Sequence, residues 1–167
     1  TNPFVLLEAT HRLGATMKYQ RTPAVNGTAT AQITYTAPQG MPENQDQVWS
    51  YKLEDDMVTE AQDPVGNTVK YGYDSSHNLA RIETARGQVS TRVFDERQNL
   101  RSSTDNLNRT TRLDYDERDN LAKVTAPDNG QTVLGWNAHN ELISITDPAQ
   151  HTQPLSSNAK GQVTSNI

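Results

Sequence analysis

YDSSHNL (Tyr73 to Leu79), FDERQNL (Phe94 to Leu100), YDERDNL (Tyr115 to Leu121) and WNAHNEL (Trp136 to Leu142) are one phrase written four times, each copy 21 residues after the last. Tyr73, Phe94, Tyr115 and Trp136 form an aromatic column. Asp74, Asp95, Asp116 and Asn137 form an acidic or amide column, and Leu79, Leu100, Leu121 and Leu142 an aliphatic one. Asn78, Asn99 and Asn120 precede the first three Leu residues. A weaker copy, SNAKGQV, starts at Ser157 on the same beat. Aromatics make up 6% of the chain, so three more at a set spacing arise by chance about 2 times in 10,000 before the other columns are counted. A fixed period of this length marks a repeat array.

Each copy has one grammar. An alternating run leads in: Val69, Tyr71, Tyr73; Thr111, Leu113, Tyr115; Thr132, Leu134, Trp136. A period of two places these side chains on one face of a strand. A polar knot follows, DSSHN, DERQN, DERDN or NAHNE, rich in residues that bond their own backbone and tolerate left-handed dihedrals. A second run comes next, and Gly87, Asn108, Asn129–Gly130 or Gln150 marks a second turn. Two strands of about six residues and two turns of about four nearly fill the period, so one unit is one β-hairpin. The predicted hairpins are 68–84, 89–105, 110–126 and 131–146. Ile82, Val124 and Ile145 stand three positions after their Leu, which flips faces in an ideal strand. Either the Leu closes the turn or a bulge intervenes; the Leu follows directly on the turn residues, which favours the first and buries Leu121 beneath its turn. Ser103 breaks the apolar column, so the second unit is expected to be the softest. No apolar run of helical period follows any cap-like residue.

The array reaches the N-terminus. Leu6 to Tyr19 (LLEATHRLGATMKY) lies on Val58 to Tyr71 (VTEAQDPVGNTVKY) without gaps, at an offset of 52 residues, two periods plus ten. The extra residues fall between Arg21 and Gln47, where Pro23, Gly27, Pro38, Gly40 and Pro42 read as a loop or irregular hairpin. Within it, Ala29 to Ala37 has the β-branched alternation of a strand. The expected organisation is therefore an irregular β segment with a partial repeat and insertion over 1–47, then a hairpin array over 48–167. The array breaks off eleven residues into its fifth copy, as expected of a piece of a longer chain that pairs with further segments or self-associates.

Bulk properties suit this. Only 33% of residues are hydrophobic and the mean hydropathy is −0.81, thin for a compact core and adequate for a sheet that buries little per residue. A net charge of −5 disfavours a nucleic-acid partner. The longest apolar run, Phe4 to Leu7, cannot span a bilayer, and no signal-peptide pattern is visible. The absence of cysteine leaves no disulfide and no thiolate metal site.

Y-D-x-x-x-N-L at this period resembles the YD repeat of RHS proteins. Tyr73, Asp74, Asn78 and Leu79 fit best, then Phe94, Asp95, Asn99 and Leu100, then Tyr115, Asp116, Asn120 and Leu121. Trp136, Asn137 and Leu142 form a degenerate copy. The similarity covers about residues 46–167 well and 1–21 loosely. The resemblance implies an all-β fold of tandem antiparallel hairpins forming a curved sheet, part of a larger β-shell. RHS proteins include bacterial polymorphic toxins, type VI secretion effectors and the C components of Tc toxin complexes. Their shell encloses a C-terminal toxin domain. The implied partners are other segments of the same shell and that enclosed domain, in a protein exported by a bacterial secretion system or working in a toxin complex. The related teneurins act in adhesion, so the second reading is an extracellular module that binds glycan or protein through its repeats.

No enzymatic constellation accompanies the repeats. RHS shells cut themselves at a D-P-x-G-L-type motif. The nearest match, Asp63-Pro64-Val65-Gly66-Asn67, lacks the Leu and precedes the best repeats, so it reads as a turn. Asp147-Pro148-Ala149-Gln150 lacks the Gly. The acidic turns at Asp95–Glu96 and Asp114 to Asp119 carry Arg97 and Arg118 and no Gly, unlike a calcium loop. His11, His77, His139 and His151 have no ligand spacing, and neither a nucleophile elbow nor a phosphate loop is present. The expected protein is not an enzyme and uses no cofactor or metal; its aromatic column packs a sheet.

Overall fold

The computed structural model describes residues 5–10, 15–36, 46–157 and 163–165. Fifteen strands and no helix occur among them. They are β1 (Val5–Thr10), β2 (Thr16–Arg21), β3 (Thr28–Thr36), β4 (Gln47–Glu54), β5 (Met57–Gln62), β6 (Thr68–Tyr73), β7 (Leu79–Glu83) and β8 (Val89–Phe94). Next come β9 (Leu100–Thr104), β10 (Thr110–Tyr115), β11 (Leu121–Thr125), β12 (Gln131–Trp136), β13 (Leu142–Thr146), β14 (Thr152–Ser157) and β15 (Val163–Ser165). The four predicted hairpins are β6–β7, β8–β9, β10–β11 and β12–β13, with ends within one residue of expectation. The chain is all-β, built of tandem antiparallel hairpins.

Two compact units are present: 1–72 with 81–89, and 73–80 with 90–167. Within each, strands follow chain order and every described pairing is antiparallel to the next strand in sequence. In the first unit, β1 and β2 repeat β5 and β6 residue for residue at the offset of 52: Val5–Thr10 answers Met57–Gln62, and Thr16–Arg21 answers Thr68–Tyr73. Even the register is copied, with Glu8 opposite Lys18 as Glu60 is opposite Lys70. The segment read as an insertion holds the longest strand, β3, which pairs with both β2 and β4. Ala29 and Ala31 on β3 join Leu53 in a small buried cluster, with Tyr19, Tyr51 and Val58 packed against it. Small residues at alternate positions let the aromatic side chains of the flanking strands close over β3. The expected loop from Pro38 to Pro42 lies outside the described residues.

In the second unit the bulge is real, and the alternative in which Leu merely closes the turn is wrong. Tyr115 pairs with Leu121, yet Asp114 pairs with Lys123, so Ala122 has no opposite residue. Arg101 is skipped in the same way between Phe94 opposite Leu100 and Val93 opposite Ser102. Ile143 is skipped between Trp136 opposite Leu142 and Gly135 opposite Ser144. One extra residue restores the face: Leu121 opposite Tyr115 and Val124 opposite Leu113 now share a side. The burial expected of Leu121 is not found either. It is half-buried, as are all the column residues. With only one sheet face to pack on, Leu121→Ala should cost about 1–2 kcal/mol by urea titration, below the ~2–5 kcal/mol of a fully packed leucine.

Candidate functional site: the repeat columns

Nine turns share one geometry, with first residues at 63, 74, 84, 95, 105, 116, 126, 137 and 147. In each, the N–H of the first residue donates to the carbonyl of the fifth, and the N–H of the fourth donates back to the carbonyl of the first. The fourth residue has positive φ: Gly66, His77, Gly87, Gln98, Asn108, Asp119, Asn129, Asn140 and Gln150. This is the three-residue hairpin loop in which a left-handed residue closes a type I turn. The first residues are spaced alternately by 11 and 10. The repeat of 21 is therefore two half-repeats, strand plus turn, and the same turn serves both edges.

The acidic column builds these turns. Asp116 Oδ1 accepts from Arg118 N (2.9 Å) and Asn120 N (2.9 Å), and Oδ2 accepts from Asn120 Nδ2 (3.0 Å). Asp74 with Asn78 and Asp95 with Asn99 do the same. Asn137 uses its Oδ1 equally on His139 N and Glu141 N. Asp63 joins the set, accepting from Val65 N, Asn67 N and Asn67 Nδ2. The Asp-Pro-Val-Gly stretch is thus one more turn of the array, with Val65 exposed at its tip. His151 pairs with Asp147 within its own turn (3.2 Å) and His139 lies exposed, while His11 is outside the described residues. Among the described residues, no three His, Cys, Asp or Glu stand close enough to share a metal ion.

Hydrogen bonding to the ionised form holds several turn carboxyls below the usual aspartate range. The Asn67 amide does so for Asp63, the Asn78 N–H for Asp74, the Asn99 N–H for Asp95, the Arg109 side chain for Asp105 and the Asn120 amide for Asp116. A depressed folded pKa gives stability that is complete above the unfolded value, ~3.9, and is lost as pH falls through the lower folded values. Stability should therefore be flat from neutral to about pH 5 and fall steeply below about pH 4. Asp116→Asn, which copies Asn137, should keep the turn and make that fall shallower. Denaturant titrations of both proteins at stepped pH check this.

The aromatic column completes the bulges. Tyr115 Oη donates to the Leu100 carbonyl (3.2 Å), and Trp136 Nε1 donates to the Leu121 carbonyl (2.8 Å). Both carbonyls lie beyond the last ladder pairs, Arg112 opposite Ser102 and Lys123 opposite Val133. Each aromatic thus reaches back to the preceding repeat and satisfies a backbone acceptor that the shifted register leaves over. Phe94 has no donor for the equivalent carbonyl of Leu79. Phe94→Tyr should stabilise the fold by about 0.5–1.5 kcal/mol, read from a thermal or urea transition.

A side-chain ladder joins successive turns on the aromatic edge. Arg97 Nη1 donates to the Glu117 carbonyl (3.0 Å) and to Asp119 Oδ1 (3.2 Å). Asn99 Nδ2 reaches the same Asp119 oxygen (2.9 Å). One repeat later, Arg118 Nη1 donates to the Asn137 carbonyl (3.3 Å) and Asn120 Nδ2 to Asn140 Oδ1 (3.0 Å). The sequence columns contained Asn99 and Asn120 but missed their acceptors, Asp119 and Asn140, which are turn residues of positive φ. The signal that finds them is a polar residue, rather than Gly, at the left-handed position.

Residues 94–131, from the second aromatic through the third unit, match the family model described as RHS Repeat. This stretch of the chain carries RHS, or YD, repeats. No curated protein matches the chain.

Proposed function

We propose that this chain is a stretch of wall in an RHS-type β-shell whose task is to enclose a toxin domain. The observation that carries the proposal is the uniformity of the nine turns, joined to the RHS match at 94–131. Each half-repeat adds a strand through the same turn, and Tyr115, Trp136, Asn99 and Asn120 link one repeat to the next. Such a sheet can be lengthened without new chemistry, which suits a wall. The wall works by exclusion. It needs no catalytic residue, cofactor or metal, and its partners are the remaining shell and the passenger. Both act outside the cell that makes them, after export.

The test is protease digestion of the full-length protein that carries this segment. Enclosure predicts that the passenger survives intact at protease levels that degrade it when it is expressed alone, and that denaturing the wall abolishes the protection. A passenger cut equally in both settings, together with glycan or receptor binding by the repeats, would replace enclosure with adhesion.

A further inference from the structure

The second hairpin of the aromatic face departs from the apolar pattern in a concerted way. The face positions of β10–β11 are Thr111, Leu113 and Val124, and those of β12–β13 are Thr132, Leu134 and Ile145. In β8–β9 they are Ser90, Arg92 and Ser103. Arg92 stands where its neighbours have Leu113 and Leu134. It lies opposite Ser103, and Ser103 lies opposite Thr111 on the next strand. Arg92, Ser103 and Thr111 therefore form one row across three strands, about 10 Å long. Phe94 and Leu100 flank it on the same face.

Every member of this row is half-buried, and none has a side-chain hydrogen bond or ion pair among the described residues. Arg112, on β10, also has no ion pair among the described residues but is exposed, and several other cations of the sheet are paired. Arg101 and Lys123 share Asp114, Arg97 holds Asp119, and Arg109 holds Asp105. The chain has 20 acidic residues against 15 basic ones, yet none of those among the described residues is paired with Arg92. A guanidinium presents five fixed donors and fits a carboxylate in bidentate fashion. An Arg beside an aromatic and an aliphatic side chain, here Phe94 and Leu100, is also a composition enriched at the energetic centre of protein interfaces.

We propose that the notch formed by Arg92, Ser103 and Thr111 receives an acidic side chain of the enclosed polypeptide, with Phe94 and Leu100 covering the apolar atoms beside that carboxylate. This rests on the enclosure reading above. Arg92 supplies the charge, and the two hydroxyls donate to lone pairs of the carboxylate that the guanidinium leaves free. The passenger is thereby fixed to the wall at one point of the array rather than held by shape alone.

The experiment places a photo-crosslinking amino acid at position 92 of the full-length protein, and at Val93 as the control on the opposite face, where the side chain is 56% exposed. The expected result is a crosslink from position 92 to a passenger peptide containing Asp or Glu, and none to the passenger from position 93. In protein whose wall and passenger have been separated by an engineered protease site, Arg92→Glu should weaken their association by tenfold or more, Arg92→Lys should retain most of it, and Arg92→Leu should leave the wall folded while losing it. A crosslink to a wall strand or to a separate protein, to a passenger peptide without an acid, or an Arg92→Glu protein that binds as tightly as the parent, overturns the proposal. Passenger protection from protease, measured on the same variants, shows whether enclosure itself still stands in those cases.

Discussion

Trp136→Ala is expected to lower the unfolding free energy by about 2–4 kcal/mol, the largest loss from any single side chain of the array. Two separable contributions add. Removing the indole exposes the face around Leu142, its cross-strand partner. It also orphans the Leu121 carbonyl, which receives Nε1 at 2.8 Å. Trp136→Phe keeps most of the first contribution and loses the second, so it should cost about 1 kcal/mol. Tyr115→Phe removes the matching bond to the Leu100 carbonyl and should cost a similar amount. Val133→Ala, from the opposite face where the side chain is 41% exposed, should change stability by less than about 0.5 kcal/mol. Guanidinium titrations of the four variants test this order. If Trp136→Phe and Tyr115→Phe both match the parent, the aromatic donors play no part in closing the bulges.

The hairpins were legible because their signal is local and repeated. Turn-forming Asp and Asn, alternation and a constant spacing all sit within one unit. The bulge was not legible from one strand, because the step from Leu121 to Val124 is compatible with either a turn residue or an extra residue. Pairing with β10 decides it. The half-repeat was hidden for a chemical reason. At two of the five far-edge turns, Thr84 and Ala126 replace the capping carboxylate that Asp63, Asp105 and Asp147 keep, and Asp128 takes over part of its work at the second through the Gly130 N–H (2.9 Å). At those two turns the backbone geometry persists while the residue signature is lost, which breaks the sequence period of the half-repeat. In the N-terminal part, β-branched alternation over 29–37 revealed β3, but not its packing, which depends on Ala29 and Ala31 being small. The polar break at Ser103 was visible in sequence, but its partner Arg92 emerged only with the register.

Asp119→Ala is the sharpest departure from what the sequence suggests. As an exposed turn residue it reads as a neutral position, within about ±0.5 kcal/mol. The structure gives it two duties. Its φ is 64°, a left-handed conformation that Asp and Asn tolerate and that costs other L-residues about 1–2 kcal/mol. Its carboxylate accepts from Asn99 at 2.9 Å and Arg97 at 3.2 Å, tying this turn to the one before it. The side chain is 47% exposed, so water screens the ion pair and these bonds together are worth less than about 1 kcal/mol. Asp119→Ala should therefore cost about 1.5–3 kcal/mol in a urea titration. Asp119→Gly relieves the backbone while losing the ladder, and should cost well under half as much. Asp119→Asn copies Asn140, which accepts from Asn120 one repeat later, and should be nearly silent. Asn99→Ala combined with Asp119→Ala should cost less than the two changes added, because they remove one shared bond. Equal losses for Ala and Gly would assign the whole effect to the ladder. A silent Ala would mean that neither the backbone conformation nor the link between repeats contributes to holding the array together.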